Sequence, residues 1–470
     1  MTTPTANPDS FPHPFTIAID DSDTPWGGCT THLAWIILSR LRDHVVLADY
    51  PLLVRLNPVV PRKTRGNAAV VIRGYTRLDY EDLYEMINGV IDGYMPVKAP
   101  GKSPGLALYR GTEPWRVPLL RILYHRGRRE FIPVELAEEA AARLGITARR
   151  GSGLVGAILS LAALAPWDPY TFELIAYRRV EKLGEDRCVR GDPMDEAKLP
   201  PCEYANYDLV TGKLVAAPGG PDPVLIGFRG AEPTCLGKAS RLLCEEPAGW
   251  VLYRTNQHTG AGPLRVPLRP YNYVKLRGVV AKRPRELPGG HVIVELDAQW
   301  GRVPLAFYRE TGPLREVARM LVEGDLIGVE GGVVPRSRGN TIAVDVLVVY
   351  RLASEEVYLA PRCPRCGSRM KSMGKGKGYR CERCGYRDPR ARPVRVRVPR
   401  PLTPGRYTPP VSSARHLTKY NWWEPAVGGG TPASMPVECV VSQEAEPPPL
   451  SYGWEYCKPL VYNPPVSSGA

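Results

Sequence analysis

Ile17-Ala18-Ile19-Asp20-Asp21-Ser22-Asp23-Thr24-Pro25-Trp26-Gly27-Gly28-Cys29-Thr30-Thr31-His32 is the stretch on which the reading of this chain turns. A short apolar strand runs into three carboxylates within four residues. A paired glycine follows, then two threonines that open an apolar-periodic helix at Leu33, Ile36, Ile37 and Leu41. Carboxylates this close repel one another unless a cation sits among them. A Gly-Gly turn at a helix N-terminus offers backbone N–H groups and a partial positive charge. The combination points to magnesium bridging carboxylates and phosphate oxygens, with the Thr30 and Thr31 hydroxyls in reach. The plainer reading is a solvated turn whose threonine caps the helix. The glycine pair and the double threonine favour phosphate chemistry.

Outward from that turn, 470 residues are too many for a single core and imply three or four domains. Sixty-two basic against forty-eight acidic residues give a net charge of +14, which favours a polyanionic partner, nucleic acid foremost. Residues 1–14 are polar and proline-rich, without a basic or apolar signal region, and read as a disordered leader. The longest apolar run, 154–166, is too short to span a bilayer and reads as a buried helix. Of eleven cysteines, four form a metal-type cluster and seven are scattered. That usage fits a reducing cytoplasm and a structural metal, and a cytoplasmic location is expected.

The pattern predicts a multidomain α+β chain. Residues 15–149 alternate strands (15–19, 52–56, 68–72) with helices (from 31, and 83–91), as an α/β domain would. Residues 150–268 read as a small α+β sandwich with strands at 172–177, 224–228 and 249–255. Between 271 and 352, three strands, a helix at 313–322 and two further strands follow the order of an OB-fold barrel; an SH3-like barrel or plain sandwich shares the pattern.

Cys363-Pro-Arg-Cys366 and Cys381-Glu-Arg-Cys384 can each place two thiolates on one tight turn, which predicts a four-cysteine zinc ribbon over 361–388. Four protein ligands close the shell, so this zinc is expected to be structural. Beyond it, 389–470 is a basic Arg/Pro-rich segment and an irregular tail. Arg390, Arg392, Arg395, Arg397, Arg400 and Arg406 there form either a solvated linker or, the favoured reading, a phosphate-backbone clamp.

The opening motif, with Arg55-Leu-Asn-Pro58, Lys63-Thr-Arg-Gly-Asn-Ala-Ala-Val70, Gly153-Leu-Val-Gly-Ala157 and Thr171-Phe-Glu-Leu-Ile-Ala-Tyr-Arg178, resembles the archaeal tRNA-isoleucine 2-agmatinylcytidine synthetase family. Pro223–Gly230, Arg254–Thr259, Tyr407-Thr-Pro-Pro410 and Ala414-Arg-His-Leu-Thr-Lys419 extend the resemblance across about residues 15–420. It implies four domains: kinase-like, ferredoxin-like, OB-fold and zinc ribbon. It also implies an ATP-dependent, carbon–nitrogen bond-forming ligase. Such an enzyme phosphorylates the wobble cytidine O2 of a CAU-anticodon isoleucine tRNA and attaches agmatine at carbon 2.

On this resemblance Thr30 is the phosphorylated threonine, and Ser22 stands where the family usually has threonine. Asp20, Asp21 and Asp23 would hold magnesium and serve catalysis. Gly27, Gly28, Lys63, Arg65, Gly66 and Asn67 would contact ATP. Asp208 and Glu173 are candidates for the agmatine dication. Arg395, Arg397, Arg400, Arg415 and His416 are candidate tRNA contacts. The cofactors implied are ATP, magnesium and structural zinc. The competing readings are a non-enzymatic nucleic-acid-binding protein and a small-molecule phosphotransferase.

Overall fold

The computed structural model describes residues 10–24, 27–61, 63, 66–94, 103–190, 205–220, 223–236, 239–263, 268–337, 339–420, 425–427 and 435–443. The first nine leader residues, Arg65 and the final segment from 444 lie outside it.

Strand β1 (His13–Asp20) is central to the first half of the molecule. Alternation along it assigns its side chains to two faces. Phe15, Ile17 and Ile19 enter one core with helix α1 (Thr30–Leu41), while Ala18 enters another. Strands β2 (Val45–Leu47), β3 (Leu52–Arg55) and β4 (Ala68–Thr76) follow, then helix α2 (Tyr80–Tyr94) and β5 (Gly105–Arg110). Helices α1 and α2 cover the first face. The second is covered by α3 (Pro118–Gly127), α4 (Val134–Arg143) and, beyond β6 (Thr147–Arg149), α5 (Leu154–Ser160).

The second half contributes β7 (Pro169–Arg178), a two-strand hairpin β8 (Tyr207–Asp208) and β9 (Lys213–Leu214), β10 (Val224–Gly230) and β11 (Pro247–Thr255). The sequence reading separates the halves at 149/150, but they share one continuous sheet in the order β10-β7-β11-β3-β4-β1-β5-β6. The junction is a short parallel pairing, Leu52 with Arg254 and Leu53 with Thr255. Helix α5, expected to open the second domain, packs instead on the first through Leu154, Ala157 and Ile158.

A buried ion cluster crosses the seam. Asp49 Oδ2 lies 2.7 Å from Arg254 Nη2 and 3.7 Å from Arg73 Nη1, with all three side chains at most 4% exposed. Carbonyls beyond α5 add partners at each Nη2: Arg73 donates to Leu161 and Ala163, and Arg254 to Leu164. Buried charges need such partners to offset lost hydration.

Residues 273–351 close on themselves. β12 (Tyr273–Val280) pairs with β14 (Val292–Ala298) and β16 (Leu326–Arg336). β15 (Gly301–Phe307) pairs with β14 and, in parallel, with β17 (Gly339–Arg351), which returns to β16. The short β13 (Arg285–Glu286) extends β14, and α6 (Pro313–Arg319) helps seal the core through Leu314 and Ala318. Alternation gives the barrel its interior: Val292, Val294 and Leu296 are fully buried.

Cys188 and Cys244 form a disulfide, and Cys235 and Cys439 are also disulfide-bonded, which corrects the expectation of scattered, unpaired thiols. The Cys188–Cys244 bond closes a loop of 56 residues in sequence. Closing a loop of that size restricts the unfolded chain by about 4 kcal/mol at most. Replacing both cysteines by serine is therefore expected to lower stability by about 2–4 kcal/mol. Thermal unfolding without reductant should read this as a lower Tm for the variant than for the unaltered chain.

Candidate active site

Where β1 ends, Asp21 turns the chain with a left-handed φ of 60°. Its carboxylate accepts a hydrogen bond from Ser152 Oγ, just ahead of α5. Asp20 points to the same helix: a Cβ on Gly156 would come within 1.6 Å of Asp20 Oδ2, so the contact requires glycine. Ser22 is turned the other way, with its Oγ 3.1 Å from Thr30 Oγ1. Gly28 adopts φ +86°, and a Cβ there would meet the Ser22 carbonyl oxygen at 2.7 Å, so this turn too excludes side chains. Thr24 and Gly27 exchange backbone hydrogen bonds of 2.8 and 3.2 Å across the loop.

Thr30 opens α1 and is 5% exposed. The next carbonyl, of Thr31, accepts hydroxyl hydrogen bonds from Tyr177 (2.8 Å) and Tyr253 (2.9 Å), both on second-half strands. The start of this first-half helix is thus gripped by the second half of the sheet. His32 Nδ1 lies 3.0 Å from the Tyr94 hydroxyl, and burial pushes its pKa down to about 4, which keeps the ring neutral.

A cavity of ≈ 310 Å³ opens at this point. Asp23, Thr30 and Arg55 line it from the first half, Glu173 and Arg229 from the second, and His416 closes it. Glu173 lies between two guanidinium groups, 3.7 Å from Arg55 Nη2 and 3.6 Å from Arg229 Nε. Gly227 makes room for it, since a Cβ there would meet Glu173 Oε1 at 2.5 Å. A smaller cavity of ≈ 200 Å³ shares Gly66 and His416 and adds Lys63, Asn67 and Arg415. Desolvation first, and then Arg415, hold Lys63 below its usual pKa. Burial, with Arg55 and Arg229 next in weight, holds His416 well below its own. Uncharged histidine beside Lys63 and Arg415 leaves the smaller cavity suited to an anionic group, while the larger sets Asp23 and Glu173 against Arg55 and Arg229.

The structure gathers only part of the predicted set. Thr30, Asp23, Gly66 and Glu173 meet at the larger cavity, and Lys63, Gly66 and Asn67 at the smaller. Asp20, Asp21 and Asp23 do not converge: among the described residues, the metal-type cluster of three or more donors is the cysteine set. Asp20 and Asp21 both lie at the start of α5, whereas Asp23 lines the larger cavity.

Asp208 lines neither of these two cavities. Burial raises its pKa, but hydrogen bonds from the Ser412 hydroxyl and from the backbone N–H groups of Ser412, Val210 and Thr211 outweigh that and hold it down. Arg65 lies outside the described residues.

The basic segment after the ribbon is also more structural than its composition implies. Residues 394–398 form a strand paired with 355–359, where Arg395 meets Glu356 and Arg397 stays exposed. Arg400 is a correction to the clamp reading. Its side chain is 7% exposed and bound to the fully buried Asp325, so it anchors the barrel. Arg415 Nη1 lies 3.3 Å from Asp345 Oδ2, and His416 belongs to the cavities. Arg55, Arg229, Tyr177 and Tyr253 were missed by the sequence reading. The available signal was an arginine inside an apolar strand, as in Leu52-Leu-Val-Arg55 and Ile226-Gly-Phe-Arg229.

Cys363, Cys366, Cys381 and Cys384 bring their sulfurs within 4.8 Å of one another. Each Cys-x-x-Cys lies on a tight turn closed by a glycine amide, Gly367 to the Cys363 carbonyl (2.9 Å) and Gly385 to the Cys381 carbonyl (3.0 Å). Sulfurs at this spacing fit a tetrahedral zinc ion with Zn–S distances of about 2.3 Å.

Comparison with known proteins accounts for this arrangement. The TiaS TCKD domain model matches residues 16–80, the TiaS FLD domain model 151–261 and the TiaS C-terminal zinc ribbon model 360–402. The isoleucine-tRNA 2-agmatinylcytidine synthetase TiaS of Acidilobus saccharovorans is 46% identical, over 86% of this chain and 93% of its own length. The chain belongs to the TiaS family. Among solved structures, a complex of TiaS with its isoleucine tRNA and ATP superposes with TM-score 0.78 at 30% identity, covering 89% of this chain and 99% of that one. A complex of TiaS with the same tRNA, AMPCPP and agmatine gives 0.74 at 28% identity, covering 87% and 96%. The family supports the zinc-ribbon expectation, and the ribbon's four cysteines are the site for its zinc.

Proposed function

We infer that this chain is an ATP-dependent ligase that joins agmatine to carbon 2 of the wobble cytidine of the CAU-anticodon isoleucine tRNA. The carrying observation is the larger cavity, which brings Thr30, Asp23, Arg55 and Glu173 together in a chain that matches TiaS relatives over most of its length. ATP gives up its two outer phosphoryl groups and is left as AMP: one is transferred to the cytidine O2, and the other passes to Thr30 and on to water as free phosphate. The agmatine amine then attacks carbon 2, the C2–O2 bond breaks and phosphate departs with the oxygen. Free amine is needed for attack, so its extra proton must pass to a base.

In our reading Thr30 is the protein's phosphate acceptor, positioned by Ser22 Oγ and by the helix start that the two tyrosines hold. Gly27 and Gly28 let backbone amides approach the ATP phosphates, and Lys63, Gly66 and Asn67 line the neighbouring cavity. Arg55 and Arg229 offset phosphate charge, while Glu173 is the carboxylate best placed to receive a cationic amine. The oxygen donors of Asp20, Asp21 and Asp23 suit magnesium chemically, and with Asp23 apart from the other two they would offer it a shell of one or two carboxylates. Bound there, magnesium would neutralise charge on the transferred phosphoryl group.

The domain reading proposed is kinase-like over 15–149, ferredoxin-like over 150–268, OB-fold over 271–352 and zinc ribbon over 361–388. The ring order of β12, β14, β15, β17 and β16, with its parallel β15–β17 step, supports the OB-fold. Arg395, Arg397 and Arg415 remain proposed contacts to tRNA. No helix among the described residues is long and apolar enough to cross a membrane. A cytoplasmic site of action is proposed, since that is where the tRNA partner works.

The decisive assay follows AMP release from ATP with each component omitted in turn. AMP formation that needs both the isoleucine tRNA transcript and agmatine is expected. AMP formed without either one, or no AMP at all, would overturn the assignment.

A further inference from the structure

Residues 435–442 lie beyond all three matched family domains, yet they are built into the catalytic half of the molecule. Met435 pairs with Leu47 at the end of β2, through backbone hydrogen bonds of 2.7 and 2.8 Å. Six residues on, Val441 and Ser442 pair antiparallel with Val251 and Trp250 of β11, and the Val440 carbonyl accepts from the Leu252 amide at 2.9 Å. The segment therefore spans from a strand of the first half to a strand of the second. It does so away from the short β3–β11 junction that otherwise joins them.

The same residues hold α1. The Ser442 carbonyl accepts from Trp35 Nε1 at 3.1 Å, and Glu438 pairs with Arg42 just past the helix end. Gly249 makes the crossing possible: a Cβ there would lie 2.3 Å from the Ser442 oxygen and 2.7 Å from the Trp35 ring. Met435, Val437, Val440 and Val441 are buried in the core that also contains Leu33, Ile37 and Leu41 of α1. An unattached tail would not bury four apolar side chains in the core of the domain that carries Thr30.

We propose that residues 435–442 form a positioning strap that fixes the Thr30 helix against both halves of the sheet and so sets the spacing of the cavity walls. The inference rests on the assigned reaction. ATP is held by first-half residues, whereas agmatine meets a cavity with walls from both halves. Loosening the strap should therefore act on one substrate more than on the other.

The test uses the full chain with Met435→Pro, which removes the amide that donates to Leu47 while keeping every cysteine. Glu438→Arg is the milder second variant, since it reverses only an exposed pair with Arg42. Expected for Met435→Pro is a KM for agmatine raised at least tenfold, with the KM for ATP unchanged within about twofold. Glu438→Arg should raise the agmatine KM about threefold. A part-unfolded population would instead lower kcat and leave both KM values in place. That outcome, or unchanged kinetics in both variants, overturns the strap. If the unaltered chain makes no AMP with tRNA and agmatine, the proposed function fails. Hydrogen exchange then judges the strap alone: faster exchange along Thr30–Leu41 in Met435→Pro supports it, and equal exchange overturns it.

Discussion

Thr30→Ala abolishes labelling of the protein by γ-labelled ATP and lowers tRNA agmatinylation more than about a hundredfold, the scale of losing one positioned active-site group; Thr31→Ala retains both within about threefold. The two hydroxyls are neighbours in sequence but differ in setting. Both line the large cavity beside Asp23, but Thr30 Oγ1 is 3.1 Å from Ser22 Oγ. Thr31 Oγ1 lies 3.1 Å from Cys29 Sγ, and what fixes this residue is its carbonyl, held by Tyr177 and Tyr253. Alanine at 31 keeps that carbonyl and so keeps the helix start in place. Equal labelling of the two variants would refute the choice of Thr30, and phosphopeptide mapping of the unaltered chain gives an independent check.

The second large effect concerns the zinc ribbon. Changing Cys363 and Cys384 to serine together is expected to take bound zinc from about one per chain to near zero, read by atomic absorption. A module of this size cannot bury enough apolar surface to fold unaided, and structural zinc supplies about 10–16 kcal/mol in such units. Its own core is only Cys363, Met370 and Cys381 with a few half-buried neighbours. Agmatinylation of tRNA should fall at least tenfold as the ribbon unfolds. Labelling of Thr30 should persist, because neither cavity contains a ribbon residue. Loss of labelling together with zinc would show that the ribbon supports the ATP site directly.

The parts of this molecule legible in the sequence are those written locally. The cysteine spacing, the acid–glycine–threonine turn and the alternating strands at 273–280 and 292–298 each depend on neighbours a few residues away. What was not legible depends on partners far off in the chain. The sheet that joins the first two halves does so through two residue pairs about two hundred positions apart, Leu52–Arg254 and Leu53–Thr255. Arg400 looked like a phosphate contact because composition does not reveal that Asp325 waits in the barrel for it. Glu173 could be named as a candidate, but its flanking arginines arrive from β3 and β10 and only the fold assembles them. The segment at 435–442 lacked any periodic signal, since its order comes from pairing with Leu47 and with β11.

The Asp49 cluster limits how this chain can be divided or recombined. Arg73 belongs to one half, Arg254 to the other, and both address the same carboxylate. Cutting the chain near residue 150 would strand Arg254 without its counter-ion in one fragment, and would leave Asp49 with the more distant arginine alone in the other. Uncompensated buried charge costs about 3–5 kcal/mol, a large share of the margin that keeps a domain folded. The two halves are therefore expected to be inherited and exchanged between genes as one indivisible unit, despite reading as two domains along the sequence.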